Sequence, residues 1–297
     1  MLRSKLASSN NPLLYPIKVL YYWFKNKYYD INQFILNVKI LDNSYIYLEL
    51  RNGLKLINRP SDYPAQINFT ERYKYGNKKK MKNIIDVEKY YFIYELIDEL
   101  YIKQNYFEYF DLKENDIVVD AGANIGLFTV LAAKKLNNTG KVIAIEPDND
   151  NYNILKENIK INNLTNVEVV KKGLWSEKKQ LQFNIGVRPG EHSLFENEQM
   201  SGKKISIECD TLDNILEELD IKQLDFMKMD IEGAEIEALK GCSNILDNYK
   251  PKLVIEALHQ VDGIPTYKTI IPFLKGKNYE ILNKVTNYRG TIYAIKY

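Results

Sequence analysis

The stretch Ile117–Leu127, IVVDAGANIGL, decides how this chain is read. An apolar run ends at Asp120 and passes at once into Gly122 and Gly126. That order puts a buried strand, a tight turn and a helix start in one short segment. A helix N-terminus behind glycines lets the backbone press against a cofactor.

Downstream the pattern alternates short apolar runs with helical periods. Strands are predicted at Ile117–Val119, Val142–Ile145, Val167–Val170, Leu224–Met229 and Leu253–Ile255. Helices are predicted at Phe128–Asn137, Asn151–Asn162 and Ala234–Lys240, the last stopping at Gly241. Tyr279–Leu282 and Thr291–Ile295 read as a closing hairpin. The fold class is therefore α/β, a doubly wound and mostly parallel seven-stranded sheet with an antiparallel C-terminal hairpin.

Residues 1–110 differ in composition. They hold 17 Lys and Arg against 11 Asp and Glu, and 16 of the 23 tyrosines. Two shifts at one place set a boundary near 110, giving an aromatic-rich α+β region over 1–110 and a cofactor-binding domain over 111–297. In the first region, helices are expected over 1–35 and 86–108, and a hairpin turning at Asn52-Gly53. The run Leu13–Phe24 with its flanking lysines could lie flat on an anionic membrane, so residues 13–29 are a candidate peripheral contact. No apolar run approaches the roughly 18 residues that span a bilayer. Two cysteines, Cys209 and Cys242, support neither a disulfide framework nor a zinc site. A cytoplasmic setting is expected, if membrane-associated then at the cytoplasmic face. Net charge near zero gives no global pull toward nucleic acid.

The turn itself separates two cofactor classes. Glu146 ends the second strand, 26 positions after Asp120 and 20 after Gly126, the spacing at which a carboxylate can hold two ribose hydroxyls. A dinucleotide fingerprint needs a middle glycine so that a pyrophosphate can approach. Here that position is Asn124. An acid at the strand end suits a cationic ligand and would repel a phosphate, which favours S-adenosylmethionine.

VVDAGANIGLFT, IEPDNDNYNILKENI, the KMDIEGAE run and LVIEALH occur in the order seen in FkbM-type methyltransferases, which the chain resembles over roughly residues 111–297. The resemblance implies a class I, Rossmann-like, S-adenosylmethionine-dependent enzyme. By position, Asp120, Gly122, Asn124 and Gly126 would line the methionine and ribose parts, Glu146 would hold the ribose, and the adenine would sit near Gly173 and Leu174. It also implies O-methylation of a small-molecule or glycan acceptor, a sugar or related secondary metabolite. The alternative is an RNA methyltransferase using the basic, Tyr-rich first region for stacking and phosphate contact.

Methyl transfer to a hydroxyl requires alignment and removal of a proton. Asp230 and Glu232 alternate onto one side where the fourth strand exits, with Lys228 as a candidate partner. Paired acids there are costly unless used. His259 follows the fifth strand end at Glu256 and is a candidate general base. Glu235 reads as a helix-start charge. Asp230, Glu232, Glu256 and His259 carry donors that suit a divalent cation, but no compact ligand spacing demands one and no metal is expected.

Overall fold

The computed structural model describes residues 35–41, 45–58, 105–186, 193–195, 200–285 and 290–297. The helices expected over 1–35 and 86–108 and the segment 13–29 lie outside them. The chain divides into two compact units, Met1–Gln104 and Asn105–Tyr297.

In the first unit β1 (Ile35–Leu41), β2 (Tyr45–Leu50) and β3 (Lys55–Asn58) form an antiparallel meander. The hairpin expected at Asn52-Gly53 closes where Leu50 N donates to Leu54 O at 2.8 Å. Gly53 takes φ +80°, the left-handed conformation that glycine adopts without a Cβ penalty. Leu48, Leu50, Leu54 and Leu56 are buried.

The second unit is built on β4 (Ile117–Ala121), β5 (Lys141–Ile145), β6 (Val167–Val170), β10 (Phe226–Met229), β11 (Lys252–Glu256), β14 (Glu280–Ile281) and β15 (Thr291–Ile295). Their order is β14-β15-β11-β10-β4-β5-β6. The five from β6 to β11 are parallel, and β15 runs antiparallel to both β11 and β14. This is the predicted seven-stranded sheet with its antiparallel edge. Strand order reverses direction between β4 and β10, so the crevice beyond their carboxyl ends is the switch point where such sheets take ligands.

Side chains alternate across the sheet and define two cores. Val118, Val142, Phe226, Val254 and Tyr293 pack with Phe128, Ala132 and Ala133 of α1 (Leu127–Lys135). Val119, Ile143, Met227, Leu253 and Ile255 pack on the opposite face. That face is covered by α3 (Leu212–Glu218), α4 (Glu235–Lys240) and α5 (Tyr267–Gly276). A further helix, α2 (Asn149–Ile161), starts at Asp148, whose side chain accepts from the N–H groups of Asp150 and Asn151 at 2.9 Å each.

Between β6 and β10 an unpredicted sheet of order β7-β9-β8 is inserted: β7 (Gly173–Leu174), β8 (Lys179–Gly186) and β9 (Met200–Asp210). A two-residue hairpin pair, β12 (Gln260–Val261) and β13 (Ile264–Pro265), follows β11. Cys209 and Cys242 are buried free thiols. No helix among the described residues is long and apolar enough to cross a membrane.

Candidate active site

At the end of β4 the chain turns through Gly122 (φ +76°), Asn124 (φ +50°) and Gly126 (φ +91°). Gly122 is required by space as well as by φ, because a Cβ there would lie 1.9 Å from the carbonyl oxygen of Asp230. A Cβ on Gly126 would meet Leu155 Cδ1 at 2.4 Å. Asn124 shows why the sequence can do without the middle glycine: asparagine is one of the few side chains that visits the left-handed region routinely. Its Oδ1 is buried with no hydrogen-bond partner.

Glu146 faces this turn. Asn124 N donates to Oε2 at 2.8 Å and Asp148 N donates to Oε1 at 2.9 Å. Burial pushes its carboxyl up to about 7, against the lowering effect of those two N–H groups. Two fixed oxygens with lone pairs to spare, beside the orphaned Asn124 Oδ1, make an acceptor-rich ledge. That ledge suits a ligand bringing hydroxyl or ammonium donors.

Asp120 is engaged within the fold. Its side chain is fully buried on the α1 face of the sheet, where Oδ2 accepts from Thr129 Oγ1 at 2.6 Å and Oδ1 lies 3.2 Å from Lys228 Nζ. Lys228 sits beside Asp120 in the β4–β10 register and also donates to Gly122 O at 2.9 Å. Lys228 therefore braces the glycine turn from beneath. Gly173 and Leu174 are likewise interior. They pair with Cys209 and Asp210, a Cβ on Gly173 would meet Cys209 Sγ at 2.7 Å, and the Leu174 side chain belongs to the core.

Asp230, Glu232 and His259 do come together. β10 ends at Met229, and Glu232 (φ +54°) and Gly233 (φ +103°) bend the chain. The two acids thus converge through a turn and not through strand alternation. His259 Nε2 lies 3.3 Å from Glu232 Oε2 and 3.6 Å from Asp230 Oδ1. The Glu232 carbonyl accepts from Ser193 Oγ at 2.6 Å, which pins the turn from the β8–β9 connection. The absent Gly233 Cβ leaves room for the Phe195 ring at 3.1 Å.

Glu235 organises this cluster, a role that a helix-start charge does not suggest. Its side chain is fully buried. Oε1 accepts from Gly233 N at 3.0 Å and Ile231 N at 3.3 Å, and lies 2.9 Å from His259 Nδ1. Burial alone would lower the His259 pKa, but Glu235, Asp230 and Glu232 outweigh it and push the imidazole up to about 10. The three carboxylates thus favour the protonated ring. Glu256 stands apart, accepting from Thr291 Oγ1 at 3.0 Å, with its carboxyl pushed up by burial and by the Asp230 charge.

The sequence profile of the Methyltransferase FkbM domain matches residues 120–281. Methyltransferase sdnD of Sordaria araneosa is 31% identical, over 44% of this chain and 62% of its own length. Methyltransferase 1 of Beauveria bassiana is 24% identical, over 53% and 71%. Hexuronic acid methyltransferase AglP of Haloferax volcanii is 30% identical, over 50% and 58%. The chain thus spans between 58% and 71% of the length of these relatives.

Proposed function

Because the chain belongs to the FkbM methyltransferase family, we propose that it transfers a methyl group from S-adenosylmethionine to a hydroxyl of a sugar, a glycan or a related secondary metabolite. The observation that carries this reading is the Asp230–Glu232–His259 cluster. It lies where Asp230 O packs on Gly122, at the edge of the glycine turn. The sugar class is supported by the likeness to a hexuronic acid methyltransferase.

S-adenosylmethionine is the cofactor, and it supplies a methyl on a sulfonium that departs as a neutral thioether. The residues of the turn fit it. Glu146 accepts the ribose hydroxyls, the Asn124 Oδ1 receives a donor it otherwise lacks, and Gly122 and Gly126 bring the backbone close. Asp230 would accept the proton of the acceptor hydroxyl as that oxygen takes up the methyl group. His259, with Nε2 3.6 Å from Asp230 Oδ1 and 3.3 Å from Glu232 Oε2, orients both side chains.

Glu146 gives a direct test. Glu146→Gln should weaken S-adenosylmethionine binding roughly 10–100-fold, the cost of about 1–3 kcal/mol for mispaired buried partners. The wild-type carboxyl sits near 7 and accepts ribose donors best when ionised, so affinity should rise as pH passes upward through about 7. The Gln variant should lack that rise. Calorimetric titration at pH 6 and pH 8 measures both, and a pH-independent wild type with an unaffected variant would remove Glu146 from the site.

The acceptor class is tested by incubation with methyl-labelled S-adenosylmethionine and candidate saccharides or RNA. Label is expected in a saccharide hydroxyl; label in RNA and in no saccharide would overturn the reading.

A further inference from the structure

The cluster that meets the acceptor has an excess of negative charge that its one imidazole does not balance. Asp230, Glu232 and Glu235 all face His259, and Glu256 is close enough for Asp230 to raise its pKa. One ligand atom from each of Asp230, Glu232 and His259 lies within 4.8 Å of the others. Donors bound to one ion at about 2.1 Å stand roughly 3.0–3.4 Å apart, set by octahedral or tetrahedral geometry. The observed 3.3 Å and 3.6 Å from His259 Nε2 need only small side-chain adjustments to meet that.

The independent observation is the way His259 is held. Its Nδ1 is committed to Glu235, whose side chain is fully buried and whose Oε2 has no hydrogen-bond partner. A buried carboxylate that fixes one ring nitrogen and aims the other outward is the arrangement that supports metal-bound histidines. Backbone N–H groups of Ile231 and Gly233 hold Glu235 in turn. Asp230 and Glu232 are about one-third exposed, which leaves the outer side of the cluster open to further ligands.

We infer that Asp230, Glu232 and His259 form a site for one divalent cation, Mn2+ or Zn2+ by its mixed oxygen and nitrogen donors, with Glu235 as the positioning residue behind His259. A hydroxyl approaching the open side would be acidified by the ion. Only this last consequence rests on the proposed methyl transfer.

The test is binding to the purified full chain without cofactor or acceptor, with Mn2+ followed by electron paramagnetic resonance and Zn2+ by calorimetry. One equivalent of at least one ion should bind saturably. Asp230→Asn and His259→Gln should abolish or strongly weaken it, and Glu235→Gln, which can keep its backbone hydrogen bonds, should weaken it roughly 10–100-fold. Melting temperatures close to wild type identify the variants that are folded and count. No saturable binding in the wild type, or unchanged binding in folded Asp230→Asn and His259→Gln, overturns the inference. Since no methyl group moves in this experiment, its failure is distinct from failure of the transfer assay.

Discussion

Lys228→Met should be among the most destabilising single changes in the second unit, at about 3–5 kcal/mol, because it strips a buried carboxylate of its counter-charge. The Lys228 side chain is 6% exposed and that of Asp120 fully buried. With the lysine gone, Thr129 Oγ1 remains on Oδ2, while Oδ1 loses the cation 3.2 Å away. Methionine keeps the length and most of the volume, so packing changes little and the loss reads out electrostatics. Asp120→Asn should also destabilise, leaving a buried ammonium short of an anion. The double variant Asp120→Asn/Lys228→Met should be more stable than the sum of the two losses, by about 1–3 kcal/mol of coupling. Urea unfolding of the four proteins measures it. Additive losses would mean that the pair is a coincidence of two interior side chains. Lys228 also donates to Gly122 O, so the Met variant should bind S-adenosylmethionine more weakly even where it is folded.

This pair marks where sequence reading succeeds and where it stops. The sheet was legible because β4, β5, β6, β10 and β11 are short, largely apolar runs separated by helical periods, and local pattern suffices for that. Asn124 and Glu146 were legible as facing residues because a turn length and a strand end fix their distance. The pairing of Asp120 with Lys228 was not legible, because partners depend on which strand lies next to which. The two are adjacent only through the β4–β10 register, 108 residues apart in chain order. The convergence of Asp230 and Glu232 was foreseen by alternation, yet the turn at Glu232 and Gly233 is what achieves it. Glu235 carried no sequence signal for its role, because a glutamate in a first helical turn is ordinary. Only the position of His259 after β11 turns it into an organiser. The β7-β9-β8 sheet does carry a strand signal, since Leu181, Phe183 and Ile185 in β8 and Ile205, Ile207 and Cys209 in β9 alternate with polar residues and pack together. Gly173 and Leu174 follow β6 and pair with Cys209 and Asp210 of β9, a partner that local pattern does not indicate.

Asp230→Asn should lower kcat for methyl transfer by about 10²–10⁴, the range a positioned proton acceptor contributes. The variant keeps the side-chain shape, and its backbone N–H still donates to Ala121 O at 3.0 Å. The Gly122 turn beneath it is therefore undisturbed, and S-adenosylmethionine affinity should stay within about threefold of wild type. A fall in kcat at constant cofactor binding is the signature of a group that acts in the transition state rather than in ground-state binding. The competing account is that Asp230 serves only to balance the charge of His259. On that account the amide would weaken an ion pair that Glu235 and Glu232 also supply. The protein would then melt lower while kcat stayed within about tenfold of wild type. Steady-state rates beside thermal unfolding and cofactor titration separate the two. Asp230 is one-third exposed, so the structural loss is small in either case and the rate is the quantity that decides.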